Sequence, residues 1–160
     1  MVKLLIINGL GWLVLHFGIS LGLLYVSDTL FQNTHPLNRV FRERAFEEKG
    51  LFWKKYLAVH RWKDRLPDGA SLFNLGYKKK VLPEKSVEEV NRFIKETKRA
   101  ELTHWLLFLS GPFFFFWNPV WAGWVNVIYA SLLNLPFIII QRYNRARLNS
   151  IQIVMKNRRK

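Results

Sequence analysis

Forty consecutive residues, Leu102 to Gln141, carry no Asp, Glu, Lys or Arg. Charged clusters close on both ends, Glu96-Thr97-Lys98-Arg99-Ala100-Glu101 before and Arg142-Tyr143-Asn144-Arg145-Ala146-Arg147 after. Aromatic residues crowd the block (Phe113 to Trp117, Trp121, Trp124), and Asn118-Pro119 breaks it once. Each half is then near the length that crosses the hydrocarbon of a bilayer. With a further apolar stretch at the amino terminus, the chain is predicted to be an all-α integral membrane protein. About three transmembrane helices are expected, over 4-27, 102-117 and 120-140, the last two forming a hairpin with both ends on one side.

Leu4 to Ser27 holds no charge apart from the titratable His16. A cleaved signal peptide is the rival reading of this segment. A retained anchor is favoured, because only Lys3 marks a basic flank, the apolar stretch is long, and no small-x-small cleavage site precedes Asp28.

The net charge of +14 is placed in a way that points to a membrane rather than to nucleic acid. All 11 acidic residues lie between Asp28 and Glu101 with 17 of the 25 Lys and Arg, while 142-160 adds seven basic residues and no acid. By the positive-inside rule this places the chain in the cell membrane as a multi-pass protein with loop and tail cytoplasmic. Basic tails beside a membrane ordinarily contact anionic lipid, so lipids are expected partners and nucleic acid is not. With no cysteine, disulfide and thiol chemistry are excluded.

The chain is expected to be one membrane domain: an anchor (1-27), a cytoplasmic and interfacial helical region (28-101), the hairpin (102-141) and a basic tail (142-160). Within the second part, Phe46, Gly50, Trp53 and Leu57 share a helical face, with Lys54, Lys55 and Arg61 available for headgroups, so an interfacial amphipathic helix is expected. Leu66-Pro67-Asp68-Gly69 reads as a turn, and the stretch from there through Lys78-Lys79-Lys80 as surface loop. Ser86-Val87-Glu88-Glu89 has the spacing of a capping box, predicting a long helix that begins there and runs on into the second span.

Two polar stripes converge on the hairpin. At about 100° per residue, Val90, Ile94, Thr97, Glu101, His104 and Phe108 share one side of the first helix, and Asn134, Ile138, Gln141 and Arg145 one face of the second. Polar groups at membrane depth are expensive and usually face the bundle interior. His104 is the leading candidate for chemistry, as a general base one turn from Glu101, whose carboxylate would orient it. The alternative is an interfacial histidine, with Glu101 paired to Lys98 or Arg99. Glu-x-x-His also occurs in carboxylate-bridged metal bundles, but a second copy is missing and no metal is expected. His16, His35 and His60-Arg61-Trp62-Lys63 read as packing, loop and interfacial residues. Arg142, Arg145 and Arg147 could hold phosphates, and Gln141, Tyr143 and Asn144 add neutral donors and acceptors. Asp68 is most simply a turn residue, although it could line a polar pocket. No Gly-rich phosphate loop, Gly-x-Ser-x-Gly elbow or His-x4-Asp signature is present.

Three blocks resemble a known family: Phe46-Glu-Glu-Lys-Gly-Leu-Phe-Trp through Arg61-Trp-Lys to Asp68-Gly69; Ile94-Lys-Glu-Thr-Lys-Arg-Ala-Glu-Leu-Thr-His-Trp105; and Asn126-Val-Ile-Tyr through Pro136 to Gln141-Arg-Tyr-Asn-Arg-Ala-Arg-Leu148. They are similar to the glycosyl-4,4'-diaponeurosporenoate acyltransferases of staphyloxanthin-type carotenoid biosynthesis. The resemblance implies a membrane O-acyltransferase that moves a fatty acyl group to a sugar hydroxyl of a glycosylated carotenoid acid. For such a reaction the residues themselves suggest His104 and Glu101 as catalytic, with Gln141, Arg142, Tyr143, Asn144, Arg145, Arg147, Arg99 and Asp68 binding substrate or donor. No bound cofactor is expected, only acyl-CoA or another activated acyl donor as co-substrate. A non-catalytic membrane scaffold subunit, or a transferase acting on another glycolipid, are the competing readings.

Overall fold

The computed structural model describes residues 1–66 and 86–157, and among these every regular element is helical. The helices are α1 (Val2–Leu24), α2 (Asn38–Phe41), α3 (Leu51–Tyr56), α4 (Val59–Trp62), α5 (Val87–Ser110) and α6 (Val120–Asn157), with 3-10 turns at Asp28–Phe31, Ala45–Gly50, Lys63–Arg65 and Gly111–Phe116. The expected turn at Pro67-Asp68-Gly69, the candidate Asp68 and the loop through Lys78-Lys79-Lys80 lie outside the described residues.

Among the described residues two helices, not three, are long and apolar enough to cross a membrane: α1 and α6. The middle segment, expected as a helix over 102-117, does not qualify because its α-helix stops at Ser110 and tightens into the Gly111–Phe116 turn. Pro112 has no N–H to continue the α-helical ladder, which is the local cause. The start of α5 follows expectation. Ser86 is extended, and its Oγ accepts from the backbone N–H of Glu89 at 3.1 Å, satisfying one of the donors a helix start leaves unpaired.

The expected amphipathic helix across residues 46–57 is also corrected. Glu48, Lys49 and Gly50 all have positive φ, so a left-handed turn separates the first part of the segment from α3. That turn sends the apolar residues in different directions. Trp53 packs inward with Val59, Ile140 and Tyr143, whereas Phe46 and Leu57 are exposed. Gly50 lies against Ala146 and Tyr143 of α6 at φ +90°, where a side chain would be both strained and crowded.

Helix α6 is the spine of the molecule. Its 38 residues span roughly 57 Å at about 1.5 Å per residue, nearly twice the hydrocarbon thickness of about 30 Å. The basic segment after Gln141 is therefore a helical continuation rather than a separate tail. One end packs with α5 through Val90, Phe93, Ile94 and Leu148. Near the other, Trp12 of α1, Phe114 and Ala130 form a second cluster. The turn comes close to α6, so that a Cβ on Gly111 would lie 3.0 Å from that of Ala130.

Three asparagines spaced by eight residues fasten the bundle: Asn118, Asn126 and Asn134. Each donates Nδ2–H to the carbonyl four residues earlier at 2.8 Å, on Phe114, Ala122 and Ala130 respectively. The side-chain oxygen is thereby aimed outward as an acceptor. Asn118 Oδ1 accepts from Asn8 at 2.9 Å, and Asn126 Oδ1 from the Trp12 indole at 2.7 Å. These two rungs hold α1, which leaves Leu5, Leu13, Val14 and Phe17 exposed.

Candidate active site

The third rung reaches α5 instead of α1. Asn134 Oδ1 lies 3.0 Å from His104 Nδ1, and Phe137 stacks on the imidazole with ring centroids 4.6 Å apart and planes 8° from parallel. His104 is half-buried and Asn134 is 1 % exposed. Where α5 and α6 pack side by side, the two polar stripes of the sequence meet face to face.

One turn before His104, Glu101 is fully buried at 0 % exposure. Its Oε1 accepts from Arg142 Nη1 at 2.8 Å and from the Trp105 indole at 3.2 Å, and its Oε2 lies 2.5 Å from Arg145 Nη2. Arg142 is shared with a second buried carboxylate, Glu47, whose Oε1 accepts from Nε at 2.9 Å and from Nη2 at 2.6 Å. Two carboxylates and two guanidiniums thus form a balanced quartet. Balance is what makes burial tolerable, since an isolated charge at this depth would cost several kcal/mol. Not every polar atom is satisfied: Glu101 Oε2, Gln141 Oε1 and Arg145 Nη1 are buried without a hydrogen-bond partner among the described residues.

The other sequence-selected residues separate into distinct environments. Tyr143 is buried against Trp53 and Val59, and the Arg147 guanidinium lies 5.6 Å from the centre of its ring. Arg147 is exposed and Asn144 half-buried. Arg99 faces the end of α1, donating to Asp28 at 2.5 Å, to Glu96 at 2.6 Å and to the Val26 carbonyl at 3.4 Å. Beside it, buried Lys98 donates to the Phe31 carbonyl at 2.9 Å and to Asn33 Oδ1 at 2.8 Å. Burial, reinforced by Arg145 and Lys95, lowers the Lys98 ammonium to about 8.

Sequence reasoning misses two contributors and leaves a third, Asn134, without a role. Glu47 is one of two adjacent acids in a basic, aromatic segment, and only the left-handed turn decides that it points inward while Glu48 stays exposed. Trp105 enters the sequence reading only as the end of a matched block, yet its N–H reaches Glu101. Asn134 is visible as a stripe residue, and its eight-residue spacing from Asn126 and Asn118 is the signal of a shared role.

The comparisons with known proteins bear on the family of this chain. The family described as glycosyl-4,4'-diaponeurosporenoate acyltransferase matches residues 37–152, which include every residue of the quartet as well as His104 and Asn134. A glycosyl-4,4'-diaponeurosporenoate acyltransferase of Staphylococcus aureus strain MRSA252 is 35% identical over 147 residues, covering 92% of this chain and 87% of the relative. The protein of the same name from strain bovine RF122 / ET3-1 is also 35% identical over the same shares, and that of strain Newman 33%. No solved structure matches. The chain belongs to the glycosyl-4,4'-diaponeurosporenoate acyltransferase family and is an acyltransferase.

Proposed function

We propose that this protein esterifies a sugar hydroxyl of a glycosylated carotenoid acid with a fatty acyl group, the closing step of a staphyloxanthin-type pigment pathway. The observation that carries the catalytic assignment is the seating of His104 between Asn134 and Phe137. An imidazole oriented by an acceptor at Nδ1 presents its other nitrogen as the base. In the proposed reaction His104 Nε2 takes the proton of the sugar hydroxyl while that oxygen forms the new C–O bond to the carbonyl carbon of an acyl thioester. The tetrahedral adduct then collapses, the C–S bond breaks, and the departing thiolate takes the proton back from His104.

Glu101 contributes by holding Arg142 and Arg145 beside the histidine rather than as a free acid. Gln141 lies seven residues beyond Asn134 on α6, roughly 10 Å along the axis. At that distance it is better placed to hold the sugar than the developing oxyanion. The apolar polyene would lie along the exposed aromatic flank of α6, among Trp121 and Trp124. Helices α1 and α6 would cross the cell membrane, α1 retained as part of the bundle by its two asparagine rungs, with the basic end of α6 in the cytoplasm.

Donor phosphates find little free charge on Arg142 and Arg145, which the two carboxylates already neutralise. The better landing site is an open hollow of about 440 Å³ lined by Glu48, Leu51, Lys54, Lys55 and His60. Replacement of His104 by Ala tests the reading. Lipid extracts of cells carrying the variant should accumulate unesterified glycosylated pigment while the protein remains in the membrane fraction. Undiminished ester in those extracts would refute the assignment of His104.

A further inference from the structure

We propose that Asn134 is a positioning residue that fixes His104 in its Nδ1–H form and so selects Nε2 as the basic nitrogen. The inference rests on the reading of His104 as the general base, but its structural part stands on geometry alone. Amide oxygen and nitrogen are told apart by their partners. Asn134 Nδ2 lies 2.8 Å from the Ala130 carbonyl, and reversing the amide would bring two acceptor oxygens to that distance. Oδ1 must therefore be the atom 3.0 Å from His104 Nδ1. An amide oxygen only accepts, so Nδ1 carries the hydrogen, and in the neutral ring the lone pair resides on Nε2.

The preceding rung supports the same orientation with a donor that leaves no choice. Indole N–H can only donate, and Trp12 Nε1 sits 2.7 Å from Asn126 Oδ1 while Asn126 Nδ2 bonds to Ala122. Asn134 repeats that arrangement two turns further on. Its near-complete burial keeps water from competing for Oδ1, and the parallel Phe137 ring holds the imidazole plane. An amide also suits the site electrostatically. The adjacent quartet is already charge-balanced, and an orienting group that adds no charge leaves it so.

The test uses the full-length protein in lipid nanodiscs with ¹⁵N-labelled histidine, His104 resonances being assigned by loss in His104→Gln. In the parent, Nδ1 should show the protonated, pyrrole-type signal and Nε2 the pyridine-type signal. Asn134→Leu should convert this to a mixture of tautomers and lower kcat by about 10- to 100-fold with KM little changed, a portion of what general-base catalysis typically supplies. Asn134→Asp, which retains an acceptor but adds a charge and loses the donor to Ala130, should keep Nδ1 protonated and recover only part of the rate. A pyridine-type Nδ1 in the parent overturns the proposal even if Asn134→Leu fails to fold. So does an Asn134→Leu protein with unchanged tautomer and rate. Full activity in His104→Gln would instead refute the general-base reading, leaving the parent spectrum to judge the tautomer.

Discussion

Replacing Glu101 with Gln removes one charge from a site that contains four. Arg145 then loses the carboxylate 2.5 Å away, and Arg142 keeps only Glu47. Because Glu101 is 0 % and Arg145 5 % exposed, solvent does little to screen the change. Removing one partner of a buried pair costs about 3–5 kcal/mol, out of a typical total of about 5–15 kcal/mol. The folded-to-unfolded ratio should fall by roughly two to three and a half decades. Glutamine makes the loss worse than neutral, since its NH₂ adds donors to a site already rich in them.

A second substitution sharpens the expectation. Glu101→Gln with Arg145→Met restores charge balance with an apolar side chain of similar reach, and should recover most of the loss. The measurement is equilibrium unfolding in detergent micelles, followed by tryptophan fluorescence, to which Trp105 contributes directly through its N–H to Glu101. A single variant within about 1 kcal/mol of the parent, or a double variant no more stable than the single, would refute the buried-quartet argument.

Other perturbations probe the rest of the molecule. Lys98 is lowered to about 8 from 10.5, so between those values the unfolded chain binds more protons. Unfolding free energy should then rise with pH across about 8 to 10.5, and Lys98→Met should flatten that rise in pH-dependent denaturation. Asn126→Leu leaves the Trp12 indole without its acceptor; a loss of about 1–3 kcal/mol should appear as faster proteolysis near the end of α1. A methyl group on Gly123 would collide with the Phe115 ring, so Gly123→Ala should lower the thermal midpoint, by about 1–3 kcal/mol of overpacking. Lys54→Glu with Lys55→Glu should raise KM for a phosphate-bearing donor with kcat nearly intact, measured by initial rates in nanodiscs.

The broad architecture is legible in the sequence because its causes are local. An uncharged block, a capping serine at Ser86 and two polar stripes are one-dimensional signals, and α5 and α6 meet along those stripes. What stays hidden depends on backbone choices that hydropathy does not encode. Pro112 stops the α-helical ladder, but that the chain then continues through Phe116 as a 3-10 turn lying close to Ala130 is not written in its hydropathy. The left-handed run at Glu48, Lys49 and Gly50 interrupts a periodicity that reads as helical and buries Glu47. The arginines stand out in the sequence for their affinity for phosphate, a property of the isolated side chain. Their pairing with Glu47 and Glu101 joins positions far apart along the chain, which no local window contains.

The eight-residue interval between asparagines also works as a phase ruler. Eight steps of about 100° overshoot two turns by about 80°, so within α6 the Asn134 rung is rotated from that of Asn126. Through that rotation one helix serves α1 with Asn126 and α5 with Asn134. Inserting one residue after Tyr129 would leave the first two rungs seated and swing the third by about 100°, off His104. Side-chain identity and helix length are therefore separate requirements on this protein: a chain with every named residue intact, but one residue longer in α6, should fold onto α1 and yet present an unaligned histidine.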